Sequence, residues 1–316
     1  MSTAPPNRSV TRRWLSHLWR EWTIESWRSI PPAPAKPRPV DWPNDRLTAT
    51  WLGHATVLLN FFGFTILTDP VLLRRIGIPL PFTSIGPKRL TAPALTLAEL
   101  PPIDLILLSH AHFDHLDWRT LRRFDARTKV VTAARTRDLL GWTRLRQISE
   151  LGWGEKTEVV TDAGSLLVRA FPVRHWGARL RTDNYRGYNG YVLERNGRRV
   201  IFSGDTAFTG SFAGLRDGRP YDLAIMGIGA YQPWIRSHCN PEEAIAMANA
   251  AGARFLMPVH HQTFKLSFEP FREPIERFVR ALAAEPERIA LREVGETFVL
   301  EEKPWPVSPS PAGQGG

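Results

Sequence analysis

The sequence predicts a mixed α/β domain whose sheets are covered by helices, and three observations support this. Short apolar runs rich in β-branched and aromatic residues recur between residues 48 and 300. Segments with helical spacing of apolar residues separate several of these runs. The 316-residue chain is 43% hydrophobic and 23% charged, which is typical of a globular protein. We therefore expect one large α/β domain with additional segments at both ends.

Nine apolar runs are candidate strands, and three segments are candidate helices. The candidate strands are residues 50–59, 64–68, 104–110, 129–133, 165–171, 190–194, 199–203, 222–228 and 254–259. Asp117 is a good N-cap for a helix over residues 118–124. Asn240 followed by Pro241 predicts a second helix start, and residues 271–285 predict a late helix.

Two segments share a hairpin pattern that ends in an aspartate. Residues 53–69 contain two apolar runs joined at Gly63 and end in Asp69, whereas residues 190–205 contain two runs joined at Asn196-Gly197 and end in Asp205. Asn-Gly is the strongest short-range hairpin signal. A pseudo-repeat of two sheets would bring both aspartates to neighbouring strand ends, although two copies are also compatible with a coincidental match.

The segments on either side of residues 48–302 differ from the central domain. Within residues 1–47, residues 11–29 place tryptophans and leucines at helical spacing among arginines, which predicts a short basic amphipathic helix. Such a helix lies on an anionic membrane or packs on protein, and both interpretations stay open. Residues 31–39 are proline-rich and predict an extended linker. Residues 303–316 predict a disordered tail.

Composition limits the expected compartment and partners. Cys239 is the only cysteine, so no intramolecular disulfide can form, and a cytoplasmic protein is expected. No apolar run reaches the length of a membrane span, so any membrane contact is expected to be peripheral, at the inner surface through residues 11–29. The net charge of +10 favours a small-molecule or lipid substrate with an anionic group. The oligomeric state stays open.

Residues 109–117, which read SHAHFDHLD, carry the strongest chemical signal in the sequence. His110 and His112 point to one face of an extended chain, and Asp114 and His115 reach the same space once the chain turns toward a helix. Imidazole and carboxylate ligands suit zinc, iron or manganese, and the lack of cysteine ligands favours a catalytic site over a structural one. We therefore expect two divalent metal ions, with zinc preferred.

The motif HAHFDH resembles the HxHxDH signature of the metallo-β-lactamase superfamily, and FPVRHW, FSGDT and MPVHHQTF follow in that family's order. The resemblance implies a four-layer αββα sandwich, the metallo-β-lactamase fold. It also implies two ligand groups with one bridging residue: His110, His112 and His175 for one metal, Asp114, His115 and His260 for the other, and Asp205 between them. His261 is the alternative to His260, which is preferred because the family's ligand directly follows a strand.

Further motifs, WLGHATVLL, TDP, RHW, SHCNPEEA and HHQTF, are similar to those of the N-acylphosphatidylethanolamine phospholipase D branch and its bacterial relatives, including ascorbate-phosphate lactonases. By that resemblance His238 is expected beside the metals, in contact with substrate or leaving group. Asp69 is expected to orient the metal-binding loop. His54 is assigned a similar supporting position, and for both residues an ordinary hairpin role is the alternative.

These residues predict a hydrolase that uses a metal-bridging hydroxide as its nucleophile. Asp114 and Asp205 would orient the hydroxide, and His238 would protonate the leaving group. A metal-stabilised protein that only binds membrane or nucleic acid is an alternative of a different class, and nucleic acid is the less expected partner.

The predicted substrate is a phosphodiester of the phospholipase D type. The net positive charge and the arginines near His175 favour an anionic substrate, and Arg174 and Arg179 are the predicted contacts. A lactone or other carboxylic ester is the alternative, because the same hydroxide would attack its carbonyl carbon.

Overall fold

The computed structural model describes residues 27–180 and 182–301 of the chain. The predicted amphipathic helix at residues 11–29 lies outside this range except for its last three residues, and the predicted tail at residues 303–316 lies wholly outside it. Within the described part of the chain, no helix combines the length and apolar character needed to cross a membrane.

Fifteen strands, numbered here in chain order, form two large sheets and one hairpin across the described residues. They are β1 Leu47–Gly53, β2 Thr56–Phe61, β3 Phe64–Thr68, β4 Ile78–Pro79, β5 Ser84–Ile85, β6 Leu105–Leu108, β7 Lys129–Ala133, β8 Gln147–Leu151, β9 Lys156–Thr161, β10 Gly164–Phe171, β11 Gly190–Arg195, β12 Arg198–Phe202, β13 Tyr221–Gly227, β14 Ala253–Val259 and β15 Thr297–Val299. The first sheet has the order β15-β1-β2-β3-β6-β7-β8 and the second the order β14-β13-β12-β11-β10-β9. Strands β4 and β5 pair only with each other.

The inner faces of the two sheets share one hydrophobic core. Leu58 and Ile106 of the first sheet belong to the same buried cluster as Val168 and Leu193 of the second. Burial of this shared apolar surface is the main source of free energy that holds the sheets face to face.

Helices cover the outer faces, as the sandwich prediction requires. On the second sheet, α2 (Pro241–Ala251) and α3 (Glu273–Ala281) bury a separate apolar cluster that includes Ala248 and Phe278. On the first sheet, the short helix α1 (Trp118–Leu121) packs through Leu121. The order of layers is therefore the predicted αββα.

Two predicted helix caps are confirmed. The Asp117 carboxylate accepts hydrogen bonds from the backbone N–H groups of Arg119 and Thr120 at the start of α1. Asn240 caps α2 and forms a capping box with Glu243. The first and last helices are shorter than predicted, since they cover residues 118–121 and 273–281.

Both predicted hairpins are present, and they place their aspartates at one edge of the sandwich. Strands β2 and β3 turn at the pair Phe61–Phe64, and β11 and β12 turn at the pair Arg195–Arg198. Strand β3 then runs parallel to β6, and β12 runs parallel to β13. The carboxyl ends of these strands, with the residues that follow them, therefore lie at a common edge.

The prediction of a single strand over residues 50–59 is wrong. The chain breaks into β1 and β2 because Gly53 has φ +113° and His54 has φ 55°, a left-handed conformation that ends the pleat. The sequence prediction also omitted β8, β9 and β15, as well as the two-residue strands β4 and β5. These strands are short or mostly polar and half exposed, so they lack the apolar run on which the prediction relied.

The proline-rich segment at residues 31–39 lies against the domain. The Pro31 carbonyl accepts a hydrogen bond from the Ala92 backbone, and the Ala35 backbone N–H donates to the Val294 carbonyl. Pro37 is buried. The segment forms no strand or α-helix, as predicted, but these contacts pack it on the loops that contain Ala92 and Val294, so it is not a free linker.

Candidate metal centre

The loop of residues 109–117 leaves β6 at the shared strand edge and ends at the Asp117 cap of α1. His110 makes an isolated bridge to Tyr188, which fixes the start of the loop against the second sheet. The His115 and Leu116 backbone N–H groups donate to the His112 carbonyl, so the chain turns within the motif. This turn carries the second half of the motif to a different side of the site from the first half.

Three histidine side chains converge on one point at this edge. His110 Nε2 lies 2.9 Å from His112 Nδ1, and His175 Nε2 lies 3.2 Å from the same atom. His175 comes from the loop after β10, so it reaches the site from the opposite sheet. The three nitrogens are close enough to bind a single ion.

A second group gathers around the Asp114 carboxylate. Its Oδ2 lies 2.9 Å from His54 Nε2, 3.5 Å from His260 Nε2 and 3.6 Å from His115 Nε2. His54 stands at the break between β1 and β2, and His260 follows β14 directly with φ 64°. These four side chains also lie within reach of one ion.

Asp205, which follows β12, lies between the two groups. Its Oδ2 is 3.1 Å from His115 Nε2 and 3.3 Å from His260 Nε2. The same oxygen is 3.8 Å from His175 Nε2 and 3.9 Å from His110 Nε2. One carboxylate oxygen therefore faces both clusters, as a bridging residue would.

A layer of hydrogen bonds fixes how the imidazoles point. The Asp69 carboxylate lies 2.7 Å from His115 Nδ1 and accepts hydrogen bonds from the Ser109 backbone N–H and hydroxyl. His175 Nδ1 donates to the Ser237 carbonyl at 2.8 Å. Because each Nδ1 then carries the proton, the lone pair of each Nε2 points into the site.

The unsatisfied atoms fit a positively charged occupant. His115 Nε2 and His260 Nε2 are buried and make no hydrogen bond, although both face the Asp205 carboxylate. A lone pair that faces a carboxylate oxygen is repulsive unless a proton or a metal ion lies between them. The donor set, which contains only imidazole nitrogen and carboxylate oxygen, suits zinc, iron or manganese.

Burial is the main influence on the pKa of these histidines. It lowers the pKa of His112 to about 3 and that of His175 to about 4, so both are neutral at pH 7, the form that binds metal. Burial also acts to lower the pKa of His260, but the Asp205 and Asp114 carboxylates outweigh it and raise this pKa to about 9. The Asp114 and Asp205 carboxylates thus stabilise a positive charge placed next to them at His260.

His238 lies at the margin of the centre. Its Nδ1 is 3.7 Å from Asp205 Oδ2, and its ring packs edge-on against His175. His238 comes just before the Asn240 cap of α2, so the helix start fixes its position. His261, the alternative to His260, points away from the cluster and packs on Trp51 with ring centroids 4.4 Å apart.

The two arginines predicted to contact substrate occupy different environments. The Arg174 side chain is exposed, and its backbone N–H donates to the Thr206 hydroxyl. Arg179 is buried, and its guanidinium donates to the carbonyls of Ala111 and Leu116 within the loop of residues 109–117. Its guanidinium is therefore engaged by the protein in this structure, and the predicted substrate contact of Arg179 stays a prediction.

Aromatic residues beside the centre were absent from the sequence prediction. The exposed Trp176 ring lies 4.5 Å from the His112 ring and 4.4 Å from the His175 ring, centroid to centroid. Tyr188 lies behind His175. Ser109 was also missed, although its hydroxyl joins Asp69 to His110 Nδ1 at 2.8 Å. Its place directly before the motif was the one available signal.

The fold and this geometry agree with known proteins. Residues 65–261 match the Beta-lactamase superfamily domain. The chain is 34% identical over 255 residues to N-acyl-phosphatidylethanolamine-hydrolyzing phospholipase D 1 of Caenorhabditis elegans, covering 75% of this chain and 70% of that protein. It is 30% identical over 238 residues to the mitochondrial enzyme of the same description from Saccharomyces cerevisiae, covering 72% of this chain and 50% of that protein. A solved metallo hydrolase, Igni18 of Ignicoccus hospitalis, shares the fold with a TM-score of 0.61 at 21% identity, over 81% of this chain and 99% of its own.

These matches establish the class of the protein. The chain belongs to the beta-lactamase superfamily and has the metallo-β-lactamase fold, which confirms the predicted αββα sandwich. It is a metal-dependent hydrolase of that superfamily.

Proposed function

We propose that the centre holds two divalent metal ions and hydrolyses a phosphodiester. His110, His112 and His175 would hold one ion, Asp114, His115 and His260 the other, and Asp205 would contact both. The observation that carries this proposal is the position of Asp205 Oδ2, which lies 3.1 to 3.9 Å from imidazole nitrogens of both groups. His54 would support the second group through its contact with Asp114, and Asp69 would orient His115.

The chemistry follows from the charges that these residues arrange. When bound, divalent ions of this kind lower the pKa of a coordinated water and neutralise negative charge that develops on the substrate. Asp205 is buried and Asp114 is mostly buried. Burial acts to raise the pKa of each carboxyl, but the neighbouring histidines hold it well below its usual range. Both therefore remain ionised acceptors that can orient the attacking water.

His238 is the proposed proton donor to the leaving group. His238 is not a ligand in either proposed group, and its Nδ1 faces the Asp205 carboxylate. A group at this distance can reach a substrate atom that sits between the two ion positions. Burial lowers the pKa of His238 well below its usual range, so the proposal needs a negatively charged substrate to favour the protonated form.

Two considerations favour a phosphodiester as substrate. The two named relatives hydrolyse N-acyl-phosphatidylethanolamine, and both cover more than two thirds of this chain. The net charge of +10 attracts anionic molecules to the surface. Zinc is the proposed metal because the site offers imidazole and carboxylate ligands, and the cytoplasm is the proposed location because the only cysteine, Cys239, is buried and unpaired.

The test compares substrates and variants under one set of conditions. Metal-loaded protein is assayed on a bis-aryl phosphodiester and on an acyl lactone, with elemental analysis of the same sample. We expect faster cleavage of the phosphodiester, and Asp114→Ala and Asp205→Ala should each lower its rate by at least a thousandfold.

The matched control is Asp125→Ala, which removes an exposed carboxylate that bonds only to nearby Arg127. It should leave the rate unchanged. Cleavage of the lactone alone would refute the phosphodiester proposal and favour the ester alternative. Normal rates in the Asp114 and Asp205 variants would refute the metal-centre assignment itself.

A further inference from the structure

The small hairpin formed by β4 and β5 exposes apolar side chains that the fold does not cover. Ile78 is 56% exposed, Leu80 40%, Phe82 94% and Ile85 41%. Single exposed apolar residues are common on proteins, but four on one eight-residue tip form a patch, and such patches mark interaction surfaces. We call residues 78–85 the apolar tip.

The backbone fixes the shape of this tip without help from its apolar side chains. Ile78 pairs with Ile85, and the Leu80 N–H donates to the Thr83 carbonyl. At the base, the Arg75 guanidinium donates to the Gly86 carbonyl, and Ile76 is buried. Backbone pairing and the Arg75 hydrogen bond therefore hold the apolar tip in a defined conformation.

Basic residues lie beside the tip. Arg119 at the start of α1 donates to the Phe82 carbonyl at 2.9 Å, which joins the tip to that helix. Arg122 and Arg123 come directly after α1 and are exposed, and Arg74 is exposed at the base of the hairpin. An apolar point flanked by arginines complements the acyl-chain boundary and the phosphates of an anionic bilayer.

We propose that the apolar tip inserts into the interfacial layer of an anionic membrane while Arg74, Arg122 and Arg123 contact lipid phosphates. A second copy of the chain is the competing occupant, but a standard interface takes about 20–30 residues a side, far more than this tip supplies. Because α1 directly follows residues 109–117, docking here would bring the metal-binding loop next to the lipid surface. Membrane binding by the apolar tip does not depend on the proposed phosphodiesterase activity.

The test uses the full chain and vesicles of phosphatidylcholine, with or without phosphatidylglycerol. The double variant Leu80→Ser with Phe82→Ser should bind the anionic vesicles at least about tenfold more weakly than the wild type. Arg122→Gln with Arg123→Gln should weaken binding by about fivefold or more and reduce its dependence on salt. The control is Val160→Ser, which removes an apolar side chain 56% exposed on the outer strand β9 and should change nothing.

A position-specific readout separates the tip from other membrane contacts. An environment-sensitive fluorophore on Phe82→Cys should shift to an apolar signal on anionic vesicles, whereas the same label on Val160→Cys should not; Cys239 is buried and stays unlabelled. No vesicle binding by the full chain, unchanged binding of the Leu80/Phe82 variant, or a label at position 82 that stays in water would each overturn the proposal. So would a concentration-dependent dimer that the Leu80/Phe82 variant abolishes. Cleavage of a soluble phosphodiester should be equal in all these variants, so failure of docking is distinguishable from failure of the proposed activity.

Discussion

The Asp69 carboxylate lies 2.7 Å from His115 Nδ1, and through His115 it is linked to Asp205 of the second sheet at the candidate metal centre. Asp69 follows β3 of the first sheet, and the other nitrogen of His115 faces Asp205, which follows β12 of the second sheet. The His115 imidazole therefore contacts the aspartates that follow both hairpins, Asp69 and Asp205. The sequence pattern of two hairpins that each end in an aspartate has a structural counterpart in this arrangement.

Replacing Asp69 by Asn should disturb the metal centre through His115. The amide cannot accept both Ser109 hydrogen bonds and hold the His115 Nδ1 proton as the carboxylate does. Loss of such a supporting carboxylate typically lowers metal affinity or activity by about 10–100-fold. Competition with a chromogenic chelator measures the affinity, and Asp125→Asn serves as the exposed control. An affinity equal to the wild type would show that Asp69 has no orienting role.

The two adjacent histidines after β14 should behave differently. His260 faces Asp114 and Asp205, whereas His261 packs on Trp51. We expect His260→Ala to lose about one of the two metal ions per chain and nearly all activity, and His261→Gln to keep both ions. Elemental analysis of dialysed protein measures the ratio. If His261→Gln lost the ion and His260→Ala kept it, the ligand assignment would have to be exchanged.

Removal of the metal should abolish activity and lower the thermal stability. Without an ion, the buried Asp205 carboxylate and the mostly buried Asp114 carboxylate lose a positive charge that neutralises them, and this destabilises the folded protein. At a ligand concentration about 100 times its dissociation constant, binding adds about 2.7 kcal/mol, which corresponds to roughly 5–10 °C in Tm for a domain of this size. Calorimetry before and after dialysis against a chelator measures the shift, and separate addition of zinc, iron or manganese identifies the metal that restores both properties. A Tm unchanged by the chelator, with activity intact, would contradict the prediction.

The sequence predicted the half of the centre that is local in the chain. Residues 109–117 place four ligand-type side chains within six positions, and that density has no simple packing explanation. His175, Asp205 and His260 were predictable only through the order of family motifs, because their convergence depends on which strand ends share an edge. The break at Gly53 escaped prediction because an apolar run on both sides concealed a glycine with positive φ.

The role of Arg179 shows why charge alone is a poor guide. Its position four residues after His175 suggested a substrate contact, since arginines near a metal site often bind anions. In the structure the guanidinium packs on the rings of Phe113 and Trp118, 4.0 and 4.4 Å from their centroids, and the substrate contact stays a prediction. Which way a long side chain points is decided by tertiary packing, which residue spacing does not reveal.

Gly204, directly before Asp205, should tolerate no side chain. Its φ is +55°, and an added Cβ would lie 2.7 Å from Ser109 Cβ and 2.9 Å from the Asn189 carbonyl oxygen. We expect Gly204→Ala to lower the free energy of unfolding by about 2 kcal/mol or more, since strain and overlap add. Urea denaturation measures the change. Gly210→Ala is the control, because nothing lies within 4 Å of its added Cβ, and equal stability of the two variants would refute the argument.

Arg179 should act by positioning the metal-binding loop. Its Nη1 donates to the carbonyls of Ala111 and Leu116 at 2.8 Å, so it joins the start and the end of the loop that carries His112, Asp114 and His115. Arg179→Met leaves both carbonyls without this charged donor, and we expect metal affinity to fall by about tenfold or more, with partial recovery in Arg179→Lys.

The response of the Arg179→Met variant to added metal distinguishes a loop-positioning role from a substrate-binding role. At saturating metal, a loop-positioning role predicts that Arg179→Met recovers most of its kcat with a KM close to that of the wild type. The exposed Arg174 is the matched control, and Arg174→Met should leave metal affinity unchanged. If Arg179→Met instead kept its metal affinity and raised KM, the guanidinium would have to leave its two carbonyls to meet the substrate. The loop would then have to move during turnover.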